Sequence, residues 1–571
     1  MGLAERIAVA RGHAPADLVL RNARLVNVGT GTVDREEVVV HEGQVVALGA
    51  GYPARHTADL EGRVLVPGLI DAHMHLESTM MVLGEFARAV VPHGTTAVVL
   101  DPHEFANVLG VEGIRYVLDS GRDVPLSTFG MLSSCVPASA FESPRQRLGA
   151  AELLPLLDHP RVLGLAEMMD VSGVLAADPG VLAKIEAVRR RGGVVDGHAP
   201  GLTGRDLCAY AAAGPMSDHE SCTAAEARER LRLGMWLMVR EGSAARNLAA
   251  LLPVIQELHP PRAMFVTDDR DPGDLLHRGH MDSVVRAAIA AGLDPIEAVR
   301  MATLHPAQYL GLRDRGIVAP GTVADLVVVE DLEQFRVVAV YKDGVLVAEN
   351  GQPLFGVPAP APPPAAQGLR VGPLTPAMLA LPGRPGPISI IGVDDGAIST
   401  RHLIEAAPLR QGLVVADPDR DLCKMVVVDR HHGSGRSGLG LVRGLGLRRG
   451  AIASTVAHDA HNLLAVGVDD LDMLLAMEAV VAAQGGFAVA AAGRVLATVP
   501  LPIGGLVSPL PADQLAAQLA ELDRAAAGLG CTLAHPCMTL SFLCLSVVPA
   551  LKLTDQGLVD VEAGRVIPLQ A

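Results

Sequence analysis

The chain has 571 residues, 50% of them hydrophobic and only 3% aromatic, with a formal net charge of −16 at neutral pH. That hydrophobic share excludes disorder over most of the length and supplies several cores, built from Ala, Val and Leu rather than from rings. The acidic balance repels phosphate backbones and argues against a nucleic-acid partner. The 60 glycines and 40 prolines show no period, which excludes a fibrous repeat.

The first residues, MGLAERIAVARG, carry charges where a secretion signal needs an apolar run. Residues 17–66 then alternate β-rich runs with Gly turns (DLVLRNARLVNV, EEVVVHEGQVVALG, GRVLVPG), and the same texture returns at 316–351. One sheet built from both ends of a central domain accounts for the recurrence. Between them, eight candidate strands alternate with helix-like runs: LIDAHMHLE (69–77), TAVVLDPHE (96–104), LSTFGML (126–132), VLGLAEMMD (162–170), VVDGHAP (194–200), SDHES (217–221), MWLMVREGS (235–243) and AMFVTDD (263–269). Eight such units predict an α/β chain with a (β/α)8 TIM-like barrel. The expected organisation is a composite small β-sandwich domain from 1–66 and 314–356, a barrel over 67–313, a Pro/Gly-rich linker over 357–387 and a C-terminal α+β domain over 388–571.

Residues 525–551 lack formal charge, but Gly528, Gly530, Pro536 and Pro549 interrupt them. They read as a buried strand pair rather than a membrane span, and the protein as soluble and cytoplasmic. The seven cysteines form no CxxC pair and read as isolated buried thiols of a reducing compartment. RHHGSGRSGLGLVRGLG (430–446) lacks the ending of a P-loop and reads as a mobile Gly-rich loop. His277 and His280 read as a polar loop face, and His305 as packed at a helix end.

Polar residues gather at the C-terminal ends of the barrel strands, where such barrels carry their chemistry. His73 and His75 flank Met74, and residues two apart on a strand face the same way. Later strand ends supply Glu167, His198, His219 and Asp268. This inventory suits two divalent metal ions, Mn, Fe or Zn rather than Ca or Cu(I). Two ligands would come from the first strand, a carboxylate would bridge, two histidines would hold the second ion, and an aspartate would touch the water. HLE (75–77) and Pro536-Cys537 mimic the motifs of zinc nucleoside deaminases, but Leu540 stands where a ligand cysteine is required.

PGLIDAHMH, TLHPAQYLGL and GTVADLVVV resemble the amidohydrolase superfamily over residues 17–351. Many members carry a carbamylated lysine on the fourth strand; here no barrel strand has a lysine, and Glu167 stands in that place. HLESTMM, VVPHGTTAVVLDPHEFANVLG, AEMMD, DGHAPGLTG, VTDD, VAHDAHNL (457–464) and LPIGGLVS (501–508) narrow the resemblance to adenine deaminases over nearly the whole chain. The resemblance implies hydrolysis of adenine to hypoxanthine and ammonia, with a metal-bridging hydroxide attacking C6. Asp268 is then the first base, Glu167 the bridge, and Glu77, Glu104 or Asp101 the group that protonates the ring. Asp101 and His103 are substrate-side candidates, as are His458 and His461 if their loop reaches over the barrel mouth. The partner is a small purine base, and the apolar third domain points to a homo-oligomer. Two alternatives are a cyclic-amide hydrolase, disfavoured by Glu167 in place of lysine, and a non-catalytic scaffold, disfavoured by six ligand types in place.

Overall fold

The computed structural model describes residues 2–357, 360, 364 and 368–570. Eight parallel strands form the centre: β1 (Leu69–Met74), β2 (Thr95–Leu100), β3 (Ser127–Leu132), β4 (Val162–Met168), β5 (Val194–Gly197), β6 (Ser217–Asp218), β7 (Trp236–Arg240) and β8 (Ala263–Val266). β1–β5 make one sheet and β6–β8 another. A few hydrogen bonds close the two seams: Met216 N donates to Val195 O at 3.1 Å, and on the other side Asp268 N donates to His73 O at 3.1 Å and His75 N to Asp268 O at 3.3 Å. The result is the expected barrel, with β6 as short as its sequence suggested.

Aliphatic and methionine side chains fill the interior. Ile70, Ala72, Ala97, Val99, Met131, Ala166, Met238 and Met264 pack in one buried cluster. Each such side chain larger than Ala contributes about 1.5–3 kcal/mol on burial, so a chain poor in aromatics still fills its barrel. A register shift between Asp71 and Met74 resets the alternation of β1. Asp71 thereby bonds β8, accepting from Thr267 N at 3.2 Å, and meets His280 Nε2 at 3.2 Å. His280 is fully buried, with Nδ1 2.8 Å from Thr95 Oγ1. It braces β1, β2 and β8, contrary to the polar loop face read from the sequence. His305 sits in the first turn of helix Leu304–Leu310 with Nδ1 donating to Ala263 O at 2.7 Å, as expected.

Both ends of the barrel segment contribute to one continuous nine-stranded sheet. Strand Val64–Pro67 pairs antiparallel with Leu326–Val329, which joins the two halves. After the barrel, part of the Pro/Gly-rich stretch expected as a linker (358–359, 361–363 and 365–367) lies outside the described residues. An eight-stranded, mainly antiparallel sheet follows, from Pro387–Gly392 to Arg494–Pro500. Helix Asp470–Ala482 covers one face with Met473, Ala476, Met477 and Val480.

The strand pair expected in 525–551 is instead the end of helix Ala512–Gly528, a short helix Pro536–Ser541 and a single turn Phe542–Cys544. Pro536 opens the second helix at its first position, where its missing N–H costs nothing. Cys537, Leu540 and Cys544 recur at helical spacing and are buried. Among the described residues no helix is long and apolar enough to cross a membrane. Residues 430–446 are also more ordered than a loop. Ser437–Arg443 is a strand of the sheet, and Asp429 ties the turn before it by accepting from His431 N at 2.9 Å. All seven cysteines are free, but Cys208 and Cys222 are exposed rather than buried.

Candidate active site

The barrel mouth brings all six candidate ligands together, every one buried. His75 Nε2 lies 3.1 Å from Asp268 Oδ1 and 3.6 Å from Glu167 Oε1. His73 Nε2 lies 3.6 Å from Asp268 Oδ1. Glu167 Oε2 meets His198 Nδ1 at 2.7 Å and His219 Nε2 at 3.1 Å. Glu167 thus stands between the first-strand histidines and the later pair. Gly197 makes this convergence possible, since a Cβ there would fall 2.1 Å from Ser217 O, where β5 and β6 approach. Asp268 adopts a left-handed backbone, φ 57°, which is rare outside glycine and marks a site held by its surroundings.

These residues fit divalent cations. His75 Nδ1 donates to Asp101 O at 3.2 Å, which leaves the Nε2 lone pair facing Asp268 and Glu167. His73 Nε2, which faces Asp268, is buried without a hydrogen-bond partner. The ligand atoms of His73, His75 and Asp268 fall within 4.8 Å of one another, as do those of His73, Glu167 and His219. Burial opposes ionisation of Glu167, yet His198 and His219 hold it well below the usual carboxylate range. Burial likewise opposes the Asp268 carboxylate, and Arg240 above all keeps it ionised. The four lysines stand elsewhere; Lys184, for instance, donates to Ser134 O at 2.7 Å and Leu148 O at 3.1 Å.

A second polar group adjoins the first. Asp101 Oδ1 accepts from His103 N at 3.1 Å, and His103 Nε2 lies 3.5 Å from Asp459 Oδ1 of the C-terminal region. Glu104 faces two imidazoles of that region, His458 Nδ1 at 3.3 Å and His461 Nε2 at 3.3 Å. The proton on His461 can be located: Ala457 N donates to its Nδ1 at 3.1 Å, so Nε2, the nitrogen facing Glu104, carries the hydrogen. Burial keeps His461 neutral by pushing it down to about 4. The ligand atoms of this trio lie within 4.8 Å of one another, and Glu104 Oε2 and His461 Nε2 are buried without a hydrogen-bond partner. Glu77 sits behind it and accepts from Phe105 N at 2.9 Å. Burial, then the Glu104 charge, lift Glu77 to about 8.

A cavity of about 450 Å³, part of it open to solvent, joins the two groups. Glu104, Glu167 and Asp268 line it, whereas Glu77 does not. Ile398, His458, Phe542, Leu545 and Val548 form its other wall, and the Phe542 ring stacks on His458 with centroids 5.1 Å apart and planes 11° from parallel. The barrel supplies charge and the C-terminal region supplies apolar surface.

Sequence reasoning missed Glu220, Arg240 and Asp269, which also line the cavity. Arg240 bonds Glu220 Oε1 at 2.5 Å and Asp268 Oδ2 at 2.8 Å. Burial, then the Asp268 charge, raise Asp269 to about 6. All three follow or end quoted strands, and their position at the barrel mouth was the available signal.

The amidohydrolase family pattern matches residues 64–347, and that of the adenine deaminase C-terminal domain matches residues 397–565. An adenine deaminase of Desulfatibacillum aliphaticivorans is 47% identical over 568 residues, 99% of each chain. One of Cereibacter sphaeroides is 45% identical over 566 residues, again 99% of each. With a barrel mouth of histidines and carboxylates roofed by that C-terminal domain, the chain belongs to the adenine deaminase branch of the amidohydrolase family.

Proposed function

We propose that the chain hydrolyses adenine to hypoxanthine and ammonia, as a step of purine salvage in the cytoplasm. The observation that carries this reading is the cavity in which Glu167 and Asp268 face an apolar wall that includes the Phe542 ring. The family membership supports it.

His73, His75, Glu167, His198, His219 and Asp268 would hold two divalent ions, Mn or Fe ahead of Zn. When bound, such ions lower the pKa of water from 15.7 toward about 7 and offer positive charge to a developing oxyanion. The remaining work belongs to the chain. Asp268, kept ionised by Arg240, accepts the proton of the attacking water through Oδ1. A C6–O bond forms and the C6–N bond to the exocyclic amine breaks. Asp268 passes the proton it took to the departing amine, which leaves as ammonia, and the second water proton moves by way of the ionised Glu104 carboxylate, which faces His458 and His461 at 3.3 Å, to the ring nitrogen. Asp101 orients His103 beside the ring, and burial and the Glu104 charge keep Glu77, behind it, protonated. Phe542, Leu545 and Val548 pack the purine and exclude bulk water.

We also read the chain as the composite small domain 1–66 with 314–356, the barrel 67–313, the linker 357–387 and the C-terminal domain 388–571. Strand pairing between Val64–Pro67 and Leu326–Val329 supports the first of these. The homo-oligomer stays a proposal, tested by light scattering. The activity is tested by supplying adenine and a hydantoin to metal-loaded protein. Ammonia from adenine with no ring opening of the hydantoin is the expected result, and the reverse overturns the reading.

A further inference from the structure

Glu142 belongs to the segment after β3, outside the cluster of candidate ligands, yet it is buried at 2% exposure. Its Oε2 accepts from two successive amides of the C-terminal region, Asp459 N at 3.2 Å and Ala460 N at 3.0 Å. Its Oε1 accepts from the Ser546 hydroxyl, which also lies 2.6 Å from Ser139 Oγ. The two segments it holds are those that roof the cavity. The first carries His458 and Asp459, which face Glu104 and His103. The second runs from Phe542 to Val548 and supplies the apolar wall. They also hold each other, since His458 N donates to Ser541 O at 3.0 Å and the His458 and Phe542 rings stack.

From this geometry we infer that Glu142 is a positioning residue, a clasp by which the barrel sets the roof of the site against the substrate's face. The inference rests on the proposed deamination for its effect on turnover, but not for its effect on the roof itself. A carboxylate accepting three hydrogen bonds fixes both segments at once, and no neutral acceptor of one atom does the same. Burying a carboxylate without a cationic partner is costly; burial and the Asp459 charge push Glu142 up to about 7. The three hydrogen bonds to the two roof segments are what offset that cost.

The test uses the full-length, metal-loaded protein and its E142A, E142Q and S546A variants. Hydrogen exchange is read over residues 457–462 and 542–548, alongside kcat and KM for adenine. E142A is expected to speed exchange in both segments at least tenfold while barrel segments stay protected. It is also expected to lower kcat/KM about tenfold or more, mainly through KM. E142Q keeps an acceptor for the two amides and is expected to restore protection over 457–462 and most of kcat/KM. S546A, which spares the fold if E142A does not, should loosen 542–548 alone. Unchanged exchange in both segments in E142A, or in 542–548 in S546A, overturns the clasp, as does an unchanged KM in E142A. A wild-type protein that releases no ammonia from adenine overturns the proposed reaction instead, and exchange still decides the clasp.

Discussion

Arg240 Nη1 donates to Asp268 Oδ2 at 2.8 Å, while Asp268 Oδ1 faces His75 Nε2 at 3.1 Å. One oxygen of the proposed base is thus paired with a fixed cation, and the other faces the first-strand histidines. Replacing Arg240 with Met removes the charge that holds Asp268 ionised in a buried site, at a cost of about 3–5 kcal/mol in stability. Turnover should fall on the order of a hundredfold. The acid limb of the kcat/KM profile should move to higher pH, because Asp268 then takes up a proton more readily. A pH–rate series on R240M checks this, and an unmoved acid limb contradicts it.

Phe542 stacks on His458 and forms part of the cavity wall. F542A removes packing that substrate and transition state share, so KM should rise about tenfold with kcat changed less than threefold. Steady-state kinetics on adenine read the split directly. A fall confined to kcat would place Phe542 in the chemistry rather than in binding.

His431 is buried with Nε2 donating to Ala460 O at 2.7 Å. Burial, then the Arg430 charge, push it from 6.5 down to about 3. Between those values the unfolded chain binds a proton that the folded His431 refuses. Stability therefore falls as pH drops through that window, by on the order of 1 kcal/mol per pH unit. H431Q keeps a donor for Ala460 O but cannot titrate, so its stability should decline less steeply from pH 6.5 downward. Urea unfolding at stepped pH gives the comparison, and parallel declines would refute the assignment.

Chelation should strip the barrel mouth of the cations proposed there and abolish ammonia release. Metal analysis of protein reloaded with Mn or Fe should find about two ions per chain, since Glu167 is shared between two ligand groups. E167Q should retain fewer ions. A stoichiometry of one, unchanged in E167Q, would remove the bridging role.

The repeating strand–helix texture made the barrel legible, because parallel strands buried on both faces read as apolar runs. The candidate ligands were legible for the same reason: His73, His75, Glu167, His198, His219 and Asp268 interrupt those runs at strand ends. Arg240 and Glu220 escaped because their importance lies in an ion pair across neighbouring strand ends, which exists only once the barrel closes. Glu142 escaped because its partners Asp459 and Ser546 are more than 300 residues away. The helix at Pro536–Ser541 was misread as a strand because a short apolar run has no period long enough to decide. Glu77 and Glu104 could not be ranked from sequence; only the structure puts Glu104 on the cavity and Glu77 behind it.

The most direct measurement is the initial rate of ammonia release from adenine by metal-reconstituted protein, beside the same rate for E167Q. Saturable release of one ammonia per hypoxanthine formed, reduced at least a hundredfold in E167Q, is the predicted result. Wild-type protein that binds its metals yet leaves adenine intact, or an E167Q variant that turns over at the wild-type rate, would contradict the account.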